Sequence, residues 1–189
     1  YTVEAGRPDC TDLEKLQIIK KYGAKRISIN PQTFDDNVLR AIGRAHTNRD
    51  FINCVKIARQ VGFDSINMDL IAGLPEDTVA GFERSLRGCI ELGAENITVH
   101  TLSLKKGSRI TLEEVPIPEA GEVSAMLDFA GERLSAACYA PYYLYRQKFM
   151  SGGFENVGWA RGGRVNLYNI CIMEELCSIL AMGGGGSTK

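Results

Sequence analysis

Gly23-Ala24-Lys25-Arg26-Ile27-Ser28-Ile29, Gly62-Phe63-Asp64-Ser65-Ile66-Asn67-Met68 and Gly93-Ala94-Glu95-Asn96-Ile97-Thr98-Val99 repeat one pattern in one register. Each stretch stops a helical pattern at glycine and begins an alternating strand four residues later. Helix–strand repetition argues for a parallel sheet, whose two faces are normally both covered. A period of two places Ile27 and Ile29, then Ile66, Met68 and Leu70, then Ile97 and Val99 on one face. The other face carries Ser28, Asn30 and, with the strand continued, Gln32; then Asn67 and Asp69; then Thr98 and His100. Aligning the repeats predicts a layer of Ser28, Asn67 and Thr98. A second layer of Asn30, Asp69 and His100 lies nearer the carboxyl ends, where βα barrels place their active sites. Any one of these residues alone also admits the reading of a hydrogen-bonded core residue. As a set they need a ligand, an ion or water to pair with them, and they predict a polar ligand cleft.

Working outward, Thr11 and Glu14 form a capping-box pattern. They open a helix with Leu13, Leu16 and Ile19 on one side and Lys20 and Lys21 in its last turn. A short helix is predicted over Asp35–Ile42. Asn48 opens a longer one carrying Phe51, Ile52, Val55 and Ala58, and Thr78 caps a third carrying Val79, Phe82, Leu86 and Ile90. The strands between them are predicted at Ile27–Asn30, Ile66–Ile71 and Ile97–Leu102, the order of successive βα units. After Leu104 the pattern changes. Lys105–Ser108 reads as a loop, Pro116 and Pro118 break the chain, and a helix carries Val123, Met126, Leu127, Ala130 and Leu134. A strand is predicted at Ala140–Tyr145, a glycine-rich stretch at Ser151–Arg164 and a helix at Tyr168–Ala181.

The chain has 189 residues with 22 basic and 23 acidic side chains, a net charge of -1. No basic stripe marks a nucleic-acid or anionic-membrane binder, so neither partner is expected. No apolar run approaches the roughly 18 residues that span a bilayer, and the expected location is the cytoplasm. The six cysteines (Cys10, Cys54, Cys89, Cys138, Cys171 and Cys177) include no pair at structural-zinc spacing, and Cys54 and Cys89 read as buried free thiols. Gly183–Lys189 has the wrong order for a phosphate loop, with Ser-Thr-Lys where Lys-Ser/Thr is required and no preceding strand. Two histidines without Cys or Glu at ligand spacing predict no transition-metal site, and no Ser/His/Asp set is legible. Tyr142, Tyr143 and Tyr145 read as an edge strand packed on the barrel, beside Arg146 and Lys148 as cations for carboxylate recognition. Arg44, between two helices, either reaches a carboxylate or is a solvated helix-end cation.

Several runs together carry a resemblance. They are Arg26-Ile27-Ser28-Ile29-Asn30-Pro31-Gln32-Thr33, Ile42-Gly43-Arg44-Ala45-His46-Thr47, Gly62-Phe63 with Asn67-Met68-Asp69-Leu70-Ile71-Ala72-Gly73-Leu74-Pro75, Pro141-Tyr142-Tyr143-Leu144-Tyr145-Arg146-Gln147-Lys148 and Glu155-Asn156-Val157-Gly158. The chain resembles the oxygen-independent coproporphyrinogen III oxidases (coproporphyrinogen dehydrogenases), which are radical S-adenosylmethionine enzymes. The resemblance implies an α/β fold, a partial (βα) barrel of parallel strands. Here it lacks its first strands and bears a C-terminal α+β extension. It divides the chain into 1–104, the later half of the barrel, and 105–189, an extension of the same catalytic region.

The implied reaction is oxidative decarboxylation of two propionates of coproporphyrinogen III to vinyl groups, giving protoporphyrinogen IX. The implied cofactors are S-adenosylmethionine and a four-iron, four-sulfur cluster that generates a 5′-deoxyadenosyl radical, and an electron donor is an implied partner. Gln32, Arg44 and Asp69 stand where the family contacts S-adenosylmethionine. Glu4, in Glu4-Ala5-Gly6-Arg7-Pro8, matches the family's glutamate at the end of an earlier strand. Ser103 falls at a further cofactor position, where the family often has alanine.

The family's cysteine triad is absent, so the cluster ligands are expected upstream of Tyr1 and none of the six cysteines is expected to bind metal. Tyr1-Thr2-Val3-Glu4 reads as a strand entered partway. The chain is therefore expected to be a fragment, inactive alone and able to self-associate through its open barrel edge. The resemblance also admits a haem-binding chaperone of the same superfamily, or a radical enzyme with another substrate such as RNA.

Overall fold

Helix starts and stops set the frame on which everything else hangs. The structure, a computed structural model, describes residues 1–104, 115–146, 153–186 and 188. The first strand, β1 (Thr2–Gly6), leads through a 3₁₀ turn at Pro8–Cys10 into α1 (Leu13–Lys21). The cap of α1 is Asp12, whose carboxylate accepts from the Lys15 amide at 2.8 Å. This corrects the predicted Thr11/Glu14 box, because the Thr11 hydroxyl is turned back onto the carbonyls of Ala5 and Arg7.

There follow β2 (Arg26–Ile29), α2 (Asp36–Ala41), α3 (Asn48–Val61), β3 (Ser65–Ala72), α4 (Val79–Glu91) and β4 (Asn96–Thr101). Thr47 and Asp50 close a reciprocal capping box on α3, and Thr78 accepts from the Gly81 amide at the start of α4. Gly62 ends α3 with φ of 85°, a left-handed cap that a side chain would strain. The three strands lie within one residue of their predicted bounds.

The later segment departs further from expectation. Helix α5 (Ala120–Ala136) and strand β5 (Tyr139–Tyr145) are as predicted, but Asn156–Arg161, inside the stretch that reads as glycine-rich, forms a sixth strand, β6. The last predicted helix contracts to α6 (Leu167–Met173). The predicted loop at 105–108 lies outside the described residues.

One six-stranded sheet results, in the order β1-β2-β3-β4-β6-β5. The first four strands are parallel, and β6 runs antiparallel to both β4 and β5. The parallel run is the barrel-type α/β architecture that the repeats predict. Helices α1, α3, α4 and α5 cover one face. Leu16, Phe51, Val55, Ala58, Phe82, Leu86 and Cys89, joined by Val123, Met126 and Leu134 of α5, pack on Ile27, Ile29, Ile66, Met68, Leu70, Ile97 and Val99. Cys54 and Cys89 are buried free thiols, and burial pushes the pKa of the Cys54 thiol up to about 11. The opposite face is left to the polar residues.

The register there corrects the simple layering. Ser28 pairs with Asn67 as predicted, but Asn67 faces Asn96, Asp69 faces Thr98 and Ile71 faces His100. Strand β4 is staggered by two residues, as strand tilt in a barrel requires. The side chains lean across this stagger, so Thr98 still reaches Asn67 and His100 still reaches Asp69.

Candidate functional site

The polar face is a connected network. The Ser28 hydroxyl donates to Asn30 Oδ1 at 2.9 Å, and Asn67 Nδ2 donates to Ser28 Oγ at 2.9 Å and to Asp69 Oδ1 at 2.8 Å. Thr98 Oγ1 donates to Asn67 Oδ1 at 3.4 Å, and His100 Nε2 lies 3.6 Å from Asp69 Oδ2. The residues that β2, β3 and β4 supply at successive inward positions are thus tied side chain to side chain. Such a pre-ordered polar layer holds its members in fixed rotamers and leaves spare lone pairs for a ligand.

A cavity of about 230 Å³ opens on this network. Glu4, Arg26, Asn67, Asp69, His100 and Tyr143 are among its walls, and Asn166, Asn169 and Met173 close it from α6 and its cap. Glu4 sits on the solvent-exposed rim. Removal of water from its carboxyl, and then the nearby Asp69 charge, hold it above the ordinary carboxylate range, against the opposing influence of Ser28 and of the Arg26 charge. A larger opening of about 850 Å³ lies at the amino-terminal ends of the strands, between Lys25, Arg26, Asp64 and Ser65 and the 163–169 segment. It adjoins the polar cavity and shares with it Thr2, Glu4, Arg26, Asn166 and Asn169.

Of the five predicted site residues, Glu4 and Asp69 meet in the polar cavity. Gln32 is bound to that site through its backbone. Its amide donates to the Asp69 carbonyl and its carbonyl accepts from the Ile71 amide, each at 3.0 Å. It is buried and holds φ of 68°, a left-handed conformation uncommon for glutamine and found where the surroundings over-determine it. Arg44 lies elsewhere, half-buried near Arg7, Asp9 and buried His46, and its guanidinium has no side-chain partner among the described residues. Burial, then the Arg7 charge, lowers its affinity for its proton. Ser103 is half-buried just past β4 and is not among the walls of the cavity.

Three contributors are not evident from the sequence. Arg26 is a buried guanidinium that donates to Asn96 Oδ1 and to the Arg164 carbonyl, tying the 163–169 segment to the sheet. Its place on the inward side of β2, two residues before Ser28, is the available signal. Tyr143 and Tyr145 read in sequence as packing, yet Tyr143 OH lies 3.3 Å from Thr98 Oγ1 and Tyr145 OH 3.2 Å from His100 Nδ1. They lie on an edge strand, as predicted, but they face the site. Arg146 is engaged by Glu155 at 3.4 Å rather than turned toward a ligand carboxylate, and Lys148 lies outside the described residues.

Chemically, the site offers two carboxylates and amide oxygens to hydroxyl or ammonium groups. Among the described residues no three His, Cys, Asp or Glu side chains converge as a metal site, so they do not fit an iron–sulfur ligand set. None of the helices of the described residues is long and apolar enough to cross a membrane.

Four parallel strands with a polar inner face define a class of fold, and comparison with known proteins agrees. The family model described as the Radical SAM superfamily matches residues 2–88. Over those residues the chain is similar to the radical S-adenosylmethionine superfamily. The chain is 46% identical over 190 residues, 100% of its own length, to the oxygen-independent coproporphyrinogen-III oxidase-like protein HemZ of Bacillus subtilis. It is also 40% identical over 102 residues, 54% of its length, to the heme chaperone HemW of the same organism. The chain spans 38% and 27% of the lengths of those two relatives. Among solved structures, the coproporphyrinogen III oxidase HemN from Escherichia coli superposes with a TM-score of 0.77 at 20% identity, over 99% of this chain and 43% of that one, a likeness of fold.

Proposed function

We propose that this chain forms the later strands of the catalytic barrel in an oxygen-independent coproporphyrinogen III oxidase. The protein as a whole would convert two propionates of coproporphyrinogen III to vinyl groups. The observation that carries the reading is the convergence of Glu4 and Asp69 on one polar cavity of a superfamily sheet. S-adenosylmethionine held by Glu4 and Asp69 would supply the radical chemistry for hydrogen-atom removal from the substrate.

The residues present fit the polar groups of that cofactor. Asp69, held on one oxygen by Asn67, accepts from hydroxyls or an ammonium group, and Glu4 does the same from the rim. Arg44, unpaired among the described residues but outside the cavity walls, is assigned to a carboxylate by the family resemblance alone. Gln32 fixes the turn that carries it past β2, and the Ser103 hydroxyl adds a contact past β4. In this reading 1–104 is the barrel portion and 105–189 an extension of the same catalytic region, an assignment supported by the pairing of β6 on β4. The cluster ligands lie outside these 189 residues, so the chain alone is inactive. A porphyrinogen and an electron donor are its partners in the cytoplasm, and the outer edge of β1 is a surface for self-association.

The match to HemW favours one second reading, a haem-binding chaperone on the same barrel. Anaerobic product analysis with coproporphyrinogen III, beside haem titration of the full-length protein, separates the two. Vinyl product without retained haem is the expected result. Retained haem without product would replace the oxidase by the chaperone.

A further inference from the structure

Strand β5 changes faces partway along. Tyr139 pairs with Arg161 and Pro141 with Trp159, but the next pair is Tyr143 with Gly158, leaving Tyr142 as the extra residue of a bulge. Tyr139 therefore lies in the apolar core, its hydroxyl on the Ala94 carbonyl, while Tyr143 and Tyr145 emerge on the polar face. A bulge re-aims side chains in this way. Gly158 accommodates the result, because a Cβ there would stand inside the Tyr143 ring. Tyr143 and Tyr145 then stack nearly parallel, with interplanar angle 8° and centroids 6.2 Å apart, which places the Tyr145 hydroxyl against His100.

We propose that His100, held by Tyr145, is a positioning residue for Asp69. The imidazole has Nδ1 at the Tyr145 hydroxyl, 3.2 Å away, and Nε2 at Asp69 Oδ2, 3.6 Å away. A carboxylate has no proton to give, so only an Nε2–H presents a donor to Asp69. The acceptor-only carboxylate thus favours the Nε2–H tautomer, and Nδ1 accepts from the tyrosine, whose hydroxyl supports that tautomer. With Asn67 on Oδ1 and His100 facing Oδ2, the carboxylate is fixed on both sides and its free lone pairs are directed into the cavity. The 3.6 Å approach is long for a hydrogen bond, and such contacts commonly shorten when the ligand arrives. The role of His100 rests on the reading of Asp69 as a contact to S-adenosylmethionine.

The test uses the full-length, cluster-loaded protein and calorimetric titration with S-adenosylmethionine. His100→Phe and Tyr145→Phe each weaken binding about tenfold, the scale of one hydrogen bond to a charged group. His100→Gln, whose amide can still donate toward Asp69, restores most of the loss. Nitrogen-15 spectra of the histidine-labelled protein show the Nε2–H tautomer in the wild type and a mixture in Tyr145→Phe. That readout stands even where His100→Phe does not fold. Wild-type affinity in both phenylalanine variants, or an Nδ1–H tautomer in the wild type, overturns the proposal while leaving Asp69 in place. Unchanged affinity in Asp69→Ala instead overturns the reading beneath it.

Discussion

The parallel run β1–β4 and the antiparallel pair β5–β6 share one sheet, but they build their inner faces by different means. In the parallel run a period of two suffices. Ser28, Asn67, Asp69, Thr98 and His100 reach the polar face because each sits at an inward position of an unbroken strand. In the antiparallel pair the period is broken. Tyr139, Tyr143 and Tyr145 have the same parity, yet the bulge at Tyr142 sends the first into the core and the other two into the site. One half of the site is thus written in alternation, and the other half in a single inserted residue.

Two glycines probe this contrast, and the larger effect belongs to the antiparallel half. Gly158 is required by space, since an added Cβ meets the Tyr143 ring. Gly158→Ala is expected to cost about 1–3 kcal/mol by overpacking and to break the Tyr143–Thr98 contact, measured by denaturant unfolding and by the tyrosine near-ultraviolet signal. Stability and signal both unchanged would mean that the bulge does not set the tyrosines. Gly62 is required by backbone conformation instead. Its φ is 85°, and a Cβ added there would meet nothing within 4 Å. Gly62→Ala is expected to cost roughly 1 kcal/mol and leave the polar network intact. Loss of cofactor binding in that variant would show that the two halves are more tightly coupled than their separate construction implies.

The same contrast explains what the sequence makes legible. Glycine stops, Asn48 and Thr78 at helix starts, and alternating strands locate β2, β3 and β4 to within a residue, because each signal is local and uninterrupted. The stagger of β4 is not legible, because strand tilt is a property of the assembled sheet rather than of any one strand. Strand β6 is hidden because Gly158 and its glycine neighbours read as a loop. Its glycine instead marks a close approach by a ring from the next strand. Arg26 is inconspicuous because a cation at the start of a strand usually reads as a solvated end, and here it is buried against Asn96. Asp69 stands out because it satisfies both descriptions at once, an inward position on a central strand and a match to a family motif. Arg44, which rests on the motif alone, lies beside Arg7, Asp9 and His46 rather than in the cavity wall.

In the proposed function, the polar face of the parallel strands holds S-adenosylmethionine through Asp69. The decisive measurement is the dissociation constant of S-adenosylmethionine for the full-length protein and its Asp69→Ala variant, taken beside their thermal unfolding curves. The expected result is a constant weaker by at least about tenfold, the loss of about 1.5–3 kcal/mol typical of a charged hydrogen-bond acceptor, with the unfolding transition retained. An unchanged constant in a folded variant would contradict it.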